Sequence, residues 1–117
     1  MRLPLFLLFM FAATLANATD FDPPSRYIHD FNGELKIERY TQPFVYSQCA
    51  HMYEKAGHSI DLAIIDASAI VGCSVLETPT RCRIIMIVEP HRGSTPRDVF
   101  LHELGHCNGW PSDHSRQ

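Results

Sequence analysis

The sequence predicts an α+β domain, with a small mixed or antiparallel sheet, a helix backing it and a second helix near the C-terminus. Three stretches carry that expectation. Residues 82–89 (Cys-Arg-Ile-Ile-Met-Ile-Val-Glu) are apolar nearly throughout, the pattern of a strand buried on both faces. Residues 42–55 set Phe44, Val45, Cys49, Met52 and Tyr53 at helical spacing. Residues 94–107 open with helix-start residues and run into Gly109 and Pro111, which stop a helix. Hairpin, helix, strands, helix is the order of a layered α+β fold.

Residues 1–18 stand apart. Arg2 supplies a short positive start, residues 3–15 are almost wholly apolar, and Ala16-Asn17-Ala18 has the form of a cleavage site. They are expected to be a signal peptide, too short to span a membrane. Residues 19–117 are then one mature domain with no stable membrane anchor. Thr19 to Arg26, with Pro23-Pro24, reads as a loose lead-in. Tyr27–Phe31 and Glu34–Arg39 flank Asn32-Gly33, a short-hairpin signal, and Leu35 and Ile37 alternate with Lys36 and Glu38 as in a half-buried strand. Thr41-Gln42-Pro43 opens the first helix, which runs to about Lys55 and ends at Gly57. Its Tyr46, His51 and Tyr53 read as packing or surface residues. Ser59–Asp66 reads as a strand, residues 67–75 as strand or loop, and Glu77–Arg81 as a turn-rich connection. Pro90–Ser94 links the strongest strand to the last helix. There Ser94 or Thr95 can cap, Pro96 suits the first helical position, and Asp98 adds negative charge to the first turn.

The chain carries a formal net charge of −3, which becomes −4 once Arg2 leaves with the leader. Lys and Arg are nowhere clustered, so nucleic acid is not an expected partner; neutralising phosphates needs such clusters. Cys49, Cys73, Cys82 and Cys107 all lie beyond the leader. An even count in an exported chain favours disulfides and a periplasmic or extracellular destination. Four cysteines allow three pairings. A short loop over Pro79 favours Cys73 with Cys82, which leaves Cys49 with Cys107.

The last helix carries His102-Glu103-Leu104-Gly105-His106. Residues four apart share one helix face, so both imidazoles can reach one ion, and Glu103 can work on a water held there. A catalytic zinc takes three protein ligands and leaves a position for water. The turn at Gly109 and Pro111 is followed at once by Asp113 and His114. His114 is the first candidate for the third ligand and Asp113 the alternative. The one that does not bind could orient a ligand from behind. Cys107 points about 100° round the helix from His106 and is not an expected ligand. His91 and Arg92, in the linker, either line the site or belong to a solvated loop. Arg92 or a tyrosine could stabilise an oxyanion.

Residues 102–114 resemble the active-site segment of the zincin metallopeptidases, and among these the metzincins, whose pattern is H-E-x-x-H-x-x-G-x-x-H/D. His102, Glu103, His106 and Gly109 match it. The family's third ligand falls three residues after the glycine, where this chain has Ser112, so the turn to Asp113 or His114 must be longer. Metzincins also carry a methionine turn beyond the third ligand, and no methionine follows His114 here. The resemblance covers about thirteen residues of 117. It implies a zincin-like minimal domain, with a backing helix and the metal helix behind one sheet. It further implies one zinc ion, Glu103 as general base, and hydrolysis of peptide (amide) bonds in a peptide or protein substrate. So small a domain leaves room for an accessory protein to complete the cleft. The competing expectation is a non-catalytic, exported zinc-binding or interaction domain, its site closed by Asp113 or Cys107 as a fourth ligand.

Overall fold

The computed structural model describes residues 21–57 and 66–116. The expected leader and nearly all of the expected strand at 59–66 lie outside the described residues. The elements in chain order are β1 (Glu34–Tyr40), α1 (Gln42–Lys55), β2 (Gly72–Thr78), β3 (Arg81–Ile87) and α2 (Pro96–Cys107). Short 3-10 turns occupy Ser25–Tyr27 and Ala67–Ala69. The sheet is mixed, with order β1-β3-β2. β1 runs parallel to β3, and β2 runs antiparallel to it across the turn at Pro79-Thr80. Among the described residues the fold is therefore α+β, with three strands and two helices.

The hairpin expected around Asn32-Gly33 is not formed. Tyr27 closes a 3-10 turn, and β1 pairs with β3 rather than with the residues before it. Gly33 serves a different purpose. Its φ is +152°, and a Cβ there would fall 2.2 Å from the Thr80 carbonyl oxygen. The bare backbone lets the chain pass against the β2–β3 turn, where the Glu34 N–H donates to Thr80 O at 2.8 Å.

Directly paired residues share a face of the sheet. Gly72 pairs with Met86, Ser74 with Ile84 and Leu76 with Cys82. One face therefore holds Gly72, Ser74, Cys82, Ile84 and Met86. The other holds Cys73, Val75, Arg83, Ile85 and Ile87. Cys82 is bonded to Cys107 of α2, and Cys73 to Cys49 of α1. The two helices thus cover opposite faces rather than lying together behind the sheet. β3 runs between them, and Cys82, Ile84, Ile85, Met86 and Ile87 are all at most 2 % exposed. Its one charged interior residue, Arg83, is matched by Glu38 of β1 through two hydrogen bonds of 3.0 Å.

The same alternation corrects the expected disulfides. Cys73 and Cys82 point to opposite sides of the sheet and cannot meet, so neither Cys73–Cys82 nor Cys49–Cys107 forms. The bridges are Cys49–Cys73 and Cys82–Cys107, with sequence separations of 24 and 25. Each staples one helix to the sheet and, for a loop of that length, contributes roughly 3 kcal/mol. Two disulfides suit an oxidising, exported setting. Among the described residues no helix is long and apolar enough to cross a membrane.

Candidate metal centre

α2 is defined at both ends by its sequence. The Thr95 hydroxyl accepts the Asp98 N–H at 3.2 Å, and Pro96 takes the first position. At the C-terminus the Gly109 N–H donates to His106 O and the Trp110 N–H to Gly105 O. Gly109 sits at φ +104°, which completes a Schellman turn. Between these ends Val99, Glu103 and Cys107 face the sheet and are buried. His102 and His106 stand on the adjoining stripe, beside the chain that returns after the turn.

Three imidazoles converge there. The Nε2 atoms of His102 and His106 are 3.3 Å apart, and His114 Nε2 is 3.2 Å from each. The other ring nitrogens fix the tautomers. His102 Nδ1 faces the Phe21 carbonyl, and His106 Nδ1 faces the Trp110 carbonyl at 2.8 Å. A carbonyl oxygen only accepts, so both Nδ1 atoms carry the proton and both Nε2 atoms present bare lone pairs. Burial lowers the pKa of His102 to about 4, against the opposing hydrogen bond to Phe21. Burial likewise lowers that of His106. Both rings are therefore neutral near pH 7, the form that ligates a metal. The bare lone pairs of His102 and His106 repel at this distance, a repulsion that a cation, or a proton donated from His114 Nε2 at 3.2 Å from each, relieves. The three histidines could hold one metal ion.

Glu103 lies on the sheet side of the same cleft, an open cavity of about 350 Å³. The residue is 6 % exposed. Ser74 Oγ of β2 donates to Oε1 at 2.8 Å. Burial pushes the carboxyl up to about 7, with the Ser74 hydrogen bond opposing. A group with that pKa can both take and give a proton near neutrality. Tyr53, from the end of α1, completes this side of the cleft. Burial raises its phenol, and the Glu103 charge adds to the rise.

His102, His106 and His114 are thus brought together, with Glu103 alongside. Asp113 is not among them. It is exposed, and its Oδ1 accepts the Ser115 N–H at 3.0 Å. Cys107 is consumed by its bridge to Cys82. Arg92 and His91 lie elsewhere, because both are engaged by the turn before β2. Arg92 bonds Asp66 and Ser68, and His91 Nε2 bonds Ser68 O. The expected loose lead-in is instead part of the centre. The Phe21 ring stacks on His102 with centroids 4.4 Å apart, and Pro23 packs over Gly105. Sequence reasoning missed Ser74, Phe21 and Trp110, and it placed Tyr53 as a packing or surface residue. A serine in a strand or a phenylalanine in a polar lead-in has no local mark of its partner. Trp110 did carry a signal, since it is the residue that follows the helix-ending glycine.

No protein-family model matches this chain, and no curated protein or solved structure matches it.

Proposed function

We propose that this protein is a zinc-dependent peptidase of zincin-like type, exported to the periplasm or the extracellular space, hydrolysing peptide (amide) bonds with Glu103 as general base. One observation carries the reading: three imidazole nitrogens form a triangle beside a buried carboxyl in an open cleft. A tetrahedral zinc with bonds of about 2.0–2.1 Å holds its nitrogens about 3.3 Å apart. The separations here are 3.2 and 3.3 Å, so His102, His106 and His114 fit the ion. Bound there, zinc supplies a Lewis acid that acidifies water and polarises a carbonyl. The proton work falls to Glu103, which takes a proton from the attacking water and hands it to the leaving amine. Ser74 holds one oxygen of that carboxyl, which leaves the other for the exchange.

A closed, non-catalytic zinc site would need a fourth protein ligand. With Cys107 bridged and Asp113 turned to Ser115, neither candidate reaches the cluster. Among the described residues the cluster holds three histidines and nothing more, which favours an open position for water.

Elemental analysis and a generic peptide-cleavage assay test the proposal together. The wild type is expected to carry one zinc per chain and to cleave. Glu103→Gln should keep the zinc and lose at least about a hundredfold in turnover. His102→Ala and His106→Ala should lose the metal. A zinc-free Glu103→Gln would overturn the base assignment, and a fully loaded His102→Ala would overturn the site.

A further inference from the structure

Two of the three imidazoles sit on α2, where helix geometry sets their spacing. The third sits on a turn twelve residues beyond His102, at the exposed end of the described chain. Something must hold that turn against the helix, and Trp110 is placed to do so. Its backbone N–H closes the helix end on Gly105 O, and its carbonyl accepts the hydrogen bond of His106 Nδ1–H. Its indole stacks on the His106 ring, with centroids 4.8 Å apart and planes 12° from parallel. The same indole meets His102 and His114 edge-on at 5.1 and 4.9 Å. Its Nε1–H donates to Ser115 O at 2.8 Å, directly after His114. The residue is only 2 % exposed although it borders the cleft. His114 itself holds a left-handed backbone, φ +60°, which a non-glycine residue keeps only where its surroundings impose it.

We propose that Trp110 is a positioning residue for the metal centre: its indole is the floor that sets the three imidazoles in one triangle and pins the His114 turn in the ligating position. The inference rests on the zinc-site reading above and names what preorganises that site. Without the indole, His102 and His106 keep their helical spacing, while His114 loses both its contact surface and the anchor that follows it. The site then has to order the turn as it binds, which costs affinity.

The test is a zinc titration of the metal-free full chain as wild type, Trp110→Phe and Trp110→Leu, with affinity read by competition against a chromophoric chelator. Thermal midpoints of the metal-free proteins are measured alongside. Trp110→Leu is expected to weaken zinc binding about 10- to 100-fold. Trp110→Phe restores a stacking ring without the N–H anchor, so it should recover part of the loss at a nearly unchanged midpoint. A purely structural role predicts the reverse, a lowered midpoint with unchanged affinity, and that result overturns the proposal. Trp110 is the single tryptophan of the chain. In the wild type its emission should therefore change with added zinc and saturate at one equivalent, a readout that holds even if Trp110→Leu does not fold. Flat emission in the zinc-loaded wild type would refute the floor. A wild type that takes up no zinc at all would remove the metal reading itself, a failure distinct from variants that bind as tightly as the wild type.

Discussion

Burial acts on Glu103 and His102 in opposite directions, and the metal-free protein should reveal both. Glu103 is raised to about 7 by burial, so the fold prefers its neutral form. Its share of stability is complete below the ordinary carboxyl value and is lost as pH rises through about 7. His102 is lowered to about 4 by burial, so its share is complete above the ordinary imidazole value and is lost as pH falls through about 4. Glu103→Gln isolates the first effect. In chelator, the variant's stability relative to wild type should grow between pH 5 and pH 8, by on the order of 1–3 kcal/mol. Urea unfolding at the two pH values measures this, and an offset that stays constant would contradict it. At this scale the sequence was legible where the candidate site is local. The spacing of His102, Glu103 and His106 follows from one helix face, and His114 follows from the turn after Gly109. Ser74 lies 29 residues from the carboxyl it bonds, and Phe21 lies 81 residues from the imidazole it orients. No local pattern encodes either pairing.

At the scale of elements, α2 shows how far local chemistry reaches. Its cap Thr95, its first-position Pro96 and its terminal Gly109 all lie within or directly beside the helix itself, and the helix ends where they say. Gly105 is different, because the reason for it comes from another segment. A Cβ there would fall 2.5 Å from Pro23 Cγ and 2.7 Å from Pro23 Cβ. Gly105→Ala gains about 1 kcal/mol of helix propensity. It must also push the 21–23 segment off the helix, so a net loss of about 1–3 kcal/mol is expected. Zinc affinity should fall with it, as the Phe21 carbonyl withdraws from His102. A Gly105→Ala protein of raised thermal midpoint and unaltered zinc affinity would show that the segment does not support the site. The Asn32-Gly33 signal failed for a related reason. Such a pair turns a hairpin only if the preceding arm can pair with the following one. Here β1 finds β3 instead, and the glycine is used for close approach to Thr80.

At the largest scale, two helices on opposite faces of a three-stranded sheet, counted among the described residues, give β3 its burial and give each disulfide one helix to hold. Peptide mapping without reduction should recover Cys49–Cys73 and Cys82–Cys107. Replacing either pair by serine is expected to cost roughly 2–4 kcal/mol, read as the shift in urea midpoint. The two pairs should differ in their effect on zinc. Cys107 adjoins His106, so loss of the Cys82–Cys107 bridge should weaken metal binding, whereas loss of Cys49–Cys73 should leave it nearly intact. Equal effects on zinc affinity would deny that the second bridge steadies α2 and its histidines. Local signatures in the chain were enough for most secondary elements, the α+β class and the histidine spacing, because helical period, caps and apolar runs act over a few residues. The tertiary structure alone decided which face each helix covers, which cysteines meet, and which serine, phenylalanine and tryptophan surround the imidazoles. Those choices depend on strand register and sheet order, and a one-residue change of register turns every side chain to the other face.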